Sequence, residues 1–335
     1  MPRKVFTAGE VLAAADVNTF LMDQSVMTFA GTAARGSAIG TATAGMLTYL
    51  ADADEYQYWN GTAYEPLVST PAGLVVESVV IAGGGGAYIG GGGAGGYRAS
   101  VTGELSGGSA VAESAFTASF GTNYSISIGA GGAGGASSTN GGNTLFALTF
   151  SIGGGRGGNV SAFTGGSGAG ANSDSGVGAN GISGQGTKGG NGSLASGFNG
   201  AGGGGGALAA GSNSVLNAGG NGGLGIASSI TGSSVGRGGG GGGGGGNTTG
   251  GTGTSGGGNG GINSSAGTNG TANTGGGGGG GGTGNGNGGS GVVILRYPST
   301  ATITIGAGLT GSTSTVGANK VTTITAGVGD VSWAA

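Results

Sequence analysis

The chain has 335 residues, of which 98 are glycine and only 6% are charged; its net charge is −3, and it has neither cysteine nor histidine. That composition excludes disulfide frameworks, thiolate metal sites and the Ser–His and Cys–His catalytic systems. It also lacks the Lys/Arg cluster that nucleic acid or an anionic membrane would need, and with four prolines and no Gly-X-Y register it is not collagen.

In chain order, Thr7-Ala8-Gly9-Glu10 fits a capping box ahead of Val11, Leu12, Ala15, Phe20 and Leu21 at helical spacing, with Asp16 an alternative cap for a second short helix, 17–22. Basic residues at Met1–Phe6 have no apolar run behind them, so no secretory signal is expected. No apolar stretch approaches the ~20 residues of a bilayer span. Met46–Leu50, Glu55–Trp59 and Thr62–Tyr64, with Asn60-Gly61 between the last two, predict a small three-strand meander. It is too small to be stable alone and is expected to oligomerise or dock.

The run Leu74–Ile81 leads into the glycine block and Val292–Tyr297 leads out of it; 85 of the 98 glycines lie from Gly83 to Gly291. Two such strands predict one domain, with the glycine segment built on it. Residues 110–120, 123–128 and 144–150 add strand-like runs, enough for a small β-sandwich. Residues 153–291 carry the densest glycine, with runs at Gly238–Gly246 and Gly275–Gly282. Extended glycine can form a left-handed threefold helix rising about 3.1 Å per residue without internal hydrogen bonds. Several such helices can bond to one another where no side chain keeps the backbones apart. Ordering them costs about 1–2 kcal/mol per residue, so a disordered linker stays open as the alternative. Residues 298–335 return to β alternation, with turns expected at 306–308 and 327–330.

The expected fold is therefore mainly β: a small N-terminal helix plus β-meander over 1–70, and a β-sandwich-like core over 74–297. In that core, strands in 74–152 and 292–297 frame packed polyglycine-II helices over 153–291. A short C-terminal β module follows over 298–335.

Motifs for chemistry are weak. Gly129–Gly134 fits a dinucleotide fingerprint that glycine content alone produces, and no amphipathic helix follows. Thr187-Lys188-Gly189 fails as a P-loop. Asp52, Asp54 and Glu55 read as a solvated turn, and Glu104 and Glu113 are isolated. No catalytic residue, cofactor or metal is expected. What remains are apolar islands in the glycine: Phe163, Leu194, Phe198, Leu208, Leu216 and Ile230. They either fill gaps against the β core or sit on exposed tip loops that touch a receptor.

Several segments resemble the tail fibres and minor tail proteins of tailed phages. In the N-terminal region these are Phe6–Leu12, Ala15–Leu21 and Thr48–Gly61. In the glycine-rich domain of such fibres they are Val79–Gly85, Ser229–Ser234 and Gly289–Pro298, and at the fibre tip Thr323–Trp333. The resemblance implies a virion protein made in the host cytoplasm. It implies a homotrimer that joins other tail proteins through its N-terminus and binds a host-surface glycan or protein. The expected function is non-catalytic host attachment. A structural glycine-rich filament or surface-layer protein and an ice-binding protein are the alternatives, with a glycan hydrolase a distant third.

Overall fold

The computed structural model describes residues 26–67, 73–158, 161–173, 176–195 and 198–335. The helix expected within 7–22 lies outside them. The chain divides into two compact units, Met1–Ala72 and Gly73–Ala335.

In the first unit, β1 (Met27–Phe29), α1 (Thr32–Ala38), β2 (Leu47–Leu50), β3 (Glu55–Trp59) and β4 (Tyr64–Pro66) form a sheet of order β1-β2-β3-β4. The expected meander thus gains a fourth strand, β1, parallel to β2. The Asn-Gly pair does not make a two-residue hairpin. Trp59 pairs with Tyr64 across a four-residue loop, and Asn60 Oδ1 accepts the N–H groups of Thr62 and Ala63, both at 2.8 Å. That side-chain turn competes with the tighter hairpin. Arg35, on α1, is buried. Its guanidinium lies 3.6 Å from the centre of the Tyr64 ring and donates to Gln57 Oε1.

The second unit is built on strands β5 (Leu74–Ile81) and β15 (Val292–Pro298), which pair antiparallel with Ile81 opposite Val292. The two runs that bound the glycine block are therefore partners. Both are almost continuously apolar because both faces of the sheet are covered. On one face Val76, Val80, Val293, Leu295 and Tyr297 enter one core with Phe146, Ile324 and Trp333. On the other, Val79, Ile81, Val292 and Ile294 pack with Tyr97, Ala207, Ile226 and Ile230. Burial raises the pKa of both tyrosine hydroxyls. Strands β6 (Tyr97–Ala99), β7 (Phe116–Ala118), β8 (Tyr124–Ser127), β9 (Thr144–Phe146) and β10 (Thr149–Ser151) extend the sheet. It curls into a nearly closed barrel.

Two strand expectations change. The run 144–150 is a hairpin rather than one strand, since Ala147 adopts φ 50° and Phe146 pairs with Thr149. The C-terminal residues are not an appended module. β16 (Thr302–Ile305), β17 (Leu309–Val316) and β18 (Asn319–Ala334) join the same sheet, with β18 between β15 and β8. The turn expected at 327–330 lies inside β18, where Gly327 at φ 102° lets the strand continue. Trp333 and Val331, at its end, complete the first core.

Above the sheet, the glycine segments rise and return as polyglycine-II helices bonded main chain to main chain. The threefold repeat shows in the partners. The N–H groups of Gly240, Gly243 and Gly246 bond to the carbonyls of Gly223, Gly220 and Asn217 on one neighbour. Those of Gly241 and Gly244 bond to Gly92 and Ile89 on a second. Those of Gly239, Gly242 and Gly245 bond to Ser255, Gly258 and Gly261 on a third. The first two neighbours run antiparallel to this segment and the third parallel. Distances are 2.7–3.2 Å. Ala201, Gly202 and Gly203 likewise bond to Gly244, Ala171 and Ser212, and Gly204, Gly205 and Gly206 repeat the cycle at Gly241, Gly168 and Ala209.

Asparagines close the margins of this network. An Asn Oδ1 takes the place of a neighbouring peptide carbonyl for the N–H of Gly178 (Asn191), Asn191 (Asn213), Thr252 (Asn221), Gly253 (Asn259) and Asn287 (Asn269), all at 2.8–3.0 Å. A side-chain amide has the hydrogen-bonding atoms of a peptide group, so it ends the bundle without leaving a row of unpaired donors. Asn191→Ala is expected to lower stability by about 1 kcal/mol. Asn191→Asp, which keeps the acceptor, should cost less. Denaturant melts of the two variants compare them directly.

Candidate functional site

The turns at the end of the bundle remote from the sheet lie side by side. Ser193 Oγ donates to Leu216 O at 3.1 Å, and Ser214 N to Asn191 O at 2.9 Å. Gly246 N donates to Asn217 O (2.7 Å), Asn263 N to Gly246 O (2.9 Å) and Gly244 N to Ile89 O (2.8 Å). These bonds join the turns around Ile89, Ser214–Ala218, Gly246–Gly250 and Ile262–Gly267, and the strand Ser193–Ala195, into one surface. Among the described residues of these turns and of the neighbouring turn Arg156–Phe163, Arg156 is the charged side chain. The rest are hydroxyls, amides and apolar groups.

The structure separates the six apolar candidates. Leu216 is 63% exposed in the turn Val215–Ala218, beside Val215 at 69%. Leu194 and Phe198 lie on the facing strands of a hairpin, β11 (Ser193–Ala195) and β12 (Phe198–Gly200), whose first residue holds that same turn. Phe163 is partly exposed, its ring stacked under the Arg156 guanidinium at 3.7 Å. These four belong to the loop end. Leu208 does not: it is packed against the second core at the sheet end, near Ala207. Ile230 is fully buried in that core. It lies between β13 (Ile226–Ser228) and β14 (Val235–Arg237), a hairpin held down by Glu104 Oε1 through the Ser229 N–H and hydroxyl. Ile230 therefore has no surface to offer a partner. Sequence reading passed over Val177, 72% exposed, and Val215 as candidates. Val177 stands alone between glycines and Val215 precedes Leu216, and the local pattern distinguishes neither from a core valine.

Shallow clefts line the flank of the barrel. One of about 280 Å³ is bordered by Ser106, Val111, Gln185 and the Arg98–Glu113 ion pair, which is bidentate at 2.6 and 2.7 Å. Arg98 and Glu113 are engaged with each other. Among the described residues no group of three or more Asp or Glu side chains is placed to hold a metal ion. Among them, too, no helix is long and apolar enough to cross a membrane.

Together these features define a mainly β protein in which a curled sheet carries a main-chain-bonded glycine bundle ending in turns that are mostly apolar, hydroxyl or amide. A family model described as a glycine-rich domain matches residues 60–298, and the chain belongs to that family. The match ends at Pro298, so β16–β18, which complete the sheet, fall beyond it. No curated protein and no solved structure matches the chain.

Proposed function

We propose that this chain is a phage tail fibre or adhesin that attaches the virion tail to the host surface without catalysis. Its N-terminal region would join other tail proteins, and the assembly would be a homo-oligomer, a homotrimer by the resemblance of its segments. The observation that carries the reading is the loop end of the bundle. Apolar and hydroxyl-bearing turns stand on a scaffold whose backbone groups are bonded on three sides, so they are pre-organised for a surface ligand. With almost no charge, such a surface suits a host-envelope glycan or protein and not a polyanion. The asparagine margins disfavour the filament reading, because they end the network within one chain. The scattered side chains Val177, Val215 and Leu216 disfavour ice binding, which needs a flat regular array.

The test is adsorption of particles carrying Val215→Asp and Leu216→Asp together. Both sites are exposed, and Asp tolerates the φ of 51° at Leu216 better than leucine does. Adsorption to the host is expected to fall at least about tenfold, the equivalent of 1.4 kcal/mol, with particle assembly intact. Unchanged adsorption would remove this surface from the binding role.

A further inference from the structure

The sheet of the second unit has edges that the chain covers itself, at β6 and β10, and three strands, β7, β16 and β17, that each pair with one strand among the described residues; β17, with eight residues, is the longest of these. At β6, Tyr97 N donates to Gln185 O and Glu113 N donates to Ala99 O, at 2.9 and 2.8 Å. At β10, Arg98 and Gln185 side chains reach Phe150 O, and Gln185 Oε1 accepts from Ile152 N. β17 is different. Among the described residues it pairs with β18 alone, and residues 310–315 are all exposed. Its eight residues make an open edge about 26 Å long.

The outward groups follow from the register. Val316 and Asn319 close a two-residue turn, Gly317-Ala318, with Gly317 at φ 60°. The closing pair of such a hairpin is hydrogen-bonded, and bonded pairs alternate with unbonded ones. Thr315 and Thr313 therefore fall in the unbonded pairs, where side chains approach and N–H and C=O groups point away from the partner. The Thr313 and Thr322 hydroxyls meet at 2.8 Å, as this assignment requires. Soluble proteins usually blunt a bare edge with lysine, proline or inward charge. β17 reads Leu-Thr-Gly-Ser-Thr-Ser-Thr-Val, with no charge and no proline. The nearest cation, Lys320, is committed to Ala301 O at 2.8 Å.

We infer that the open edge of β17 pairs with a second copy of this chain. The inference deepens the homo-oligomer reading above and rests on it, though not on its trimeric form, because one edge on each chain joins two copies when paired edge to edge. The occupant follows from charge. Contact between copies of one chain is repelled by any unpaired like charge it contains, and this strand contains none. A foreign peptide would need side-chain pockets to be selected, whereas another copy needs only main-chain bonds and proximity.

The experiment measures the mass of the full-length chain in solution by light scattering and sedimentation, as native protein, Thr315→Pro and Ser314→Lys. Proline removes one outward donor while sparing the ladder to β18; lysine adds charge at the edge. The native chain is expected to be oligomeric. Each variant should dissociate at a concentration at least about tenfold higher, with its melting transition retained. An unchanged mass in both variants would overturn the edge and leave the oligomer standing on other contacts. A monomeric native chain would overturn both.

Discussion

Gly204→Ala is expected to cost about 3 kcal/mol or more, the upper range for forcing extra volume into a packed interior. A methyl group on Gly204 would lie 2.5 Å from the carbonyl carbon of Gly92, and closer still to its oxygen. That oxygen is fixed because it accepts the Gly241 N–H at 3.0 Å, while Gly204 N donates to Gly241 O at 2.8 Å. Nothing at the site is a flexible side chain that could turn aside. Relief requires one helix to move off its neighbours, and main-chain bonds would break in register along it. Gly36→Ala is the control. That position, on α1, has nothing within 4 Å of the added methyl, and helix propensity favours alanine there by about 0.5–1 kcal/mol. The same substitution should thus have opposite signs at the two sites. Thermal or denaturant melts read both, each on the transition of its own unit. A loss below ~1 kcal/mol at Gly204 would show that the helices are not in main-chain contact in solution.

Amide exchange gives the second large effect. Gly241, Gly242 and Gly243 are buried, and their N–H groups bond to Gly92, Gly258 and Gly220 at 2.9–3.0 Å. If these amides open only with the whole unit, they are slowed by at least about 5 × 10³, the factor for a global stability near 5 kcal/mol. Thr248, exposed in the turn that follows, should exchange close to the free rate. Such a contrast over a few residues of glycine-rich chain has no source in side chains. Uniformly fast exchange from Gly238 to Gly246 would instead describe a solvated linker.

What could be read in advance depended on side chains. Val79–Ile81 and Val292–Leu295 are apolar on both faces, and their pairing around the glycine block was legible for that reason. The alternation of Tyr124, Ile126 and Ile128 with serine, which marks β8, has no counterpart within β17. Yet β17 is a strand, because its Ser/Thr residues are held by pairing with β18, which no local pattern specifies. Thr144–Phe150 looked continuous because the reversal at Ala147 depends on a positive φ in a residue that rarely adopts one. The candidate surface was only partly legible. Leu216 and Ile230 both sit in short apolar islands among glycines, but one is exposed at the loop end and the other is buried in the second core at the sheet end. Their neighbours in sequence do not separate them.

Composition alone determined that the chain lacks the side chains for histidine or cysteine chemistry. Glycine runs between two apolar strands determined that any order in the block must come from the backbone. The tertiary structure decided which peptide groups meet, which turns share one end, and that the C-terminal strand lies inside the sheet. The reason is that a residue without a side chain carries no local mark of its partner. Its place is set by which neighbouring backbone lies within hydrogen-bond reach.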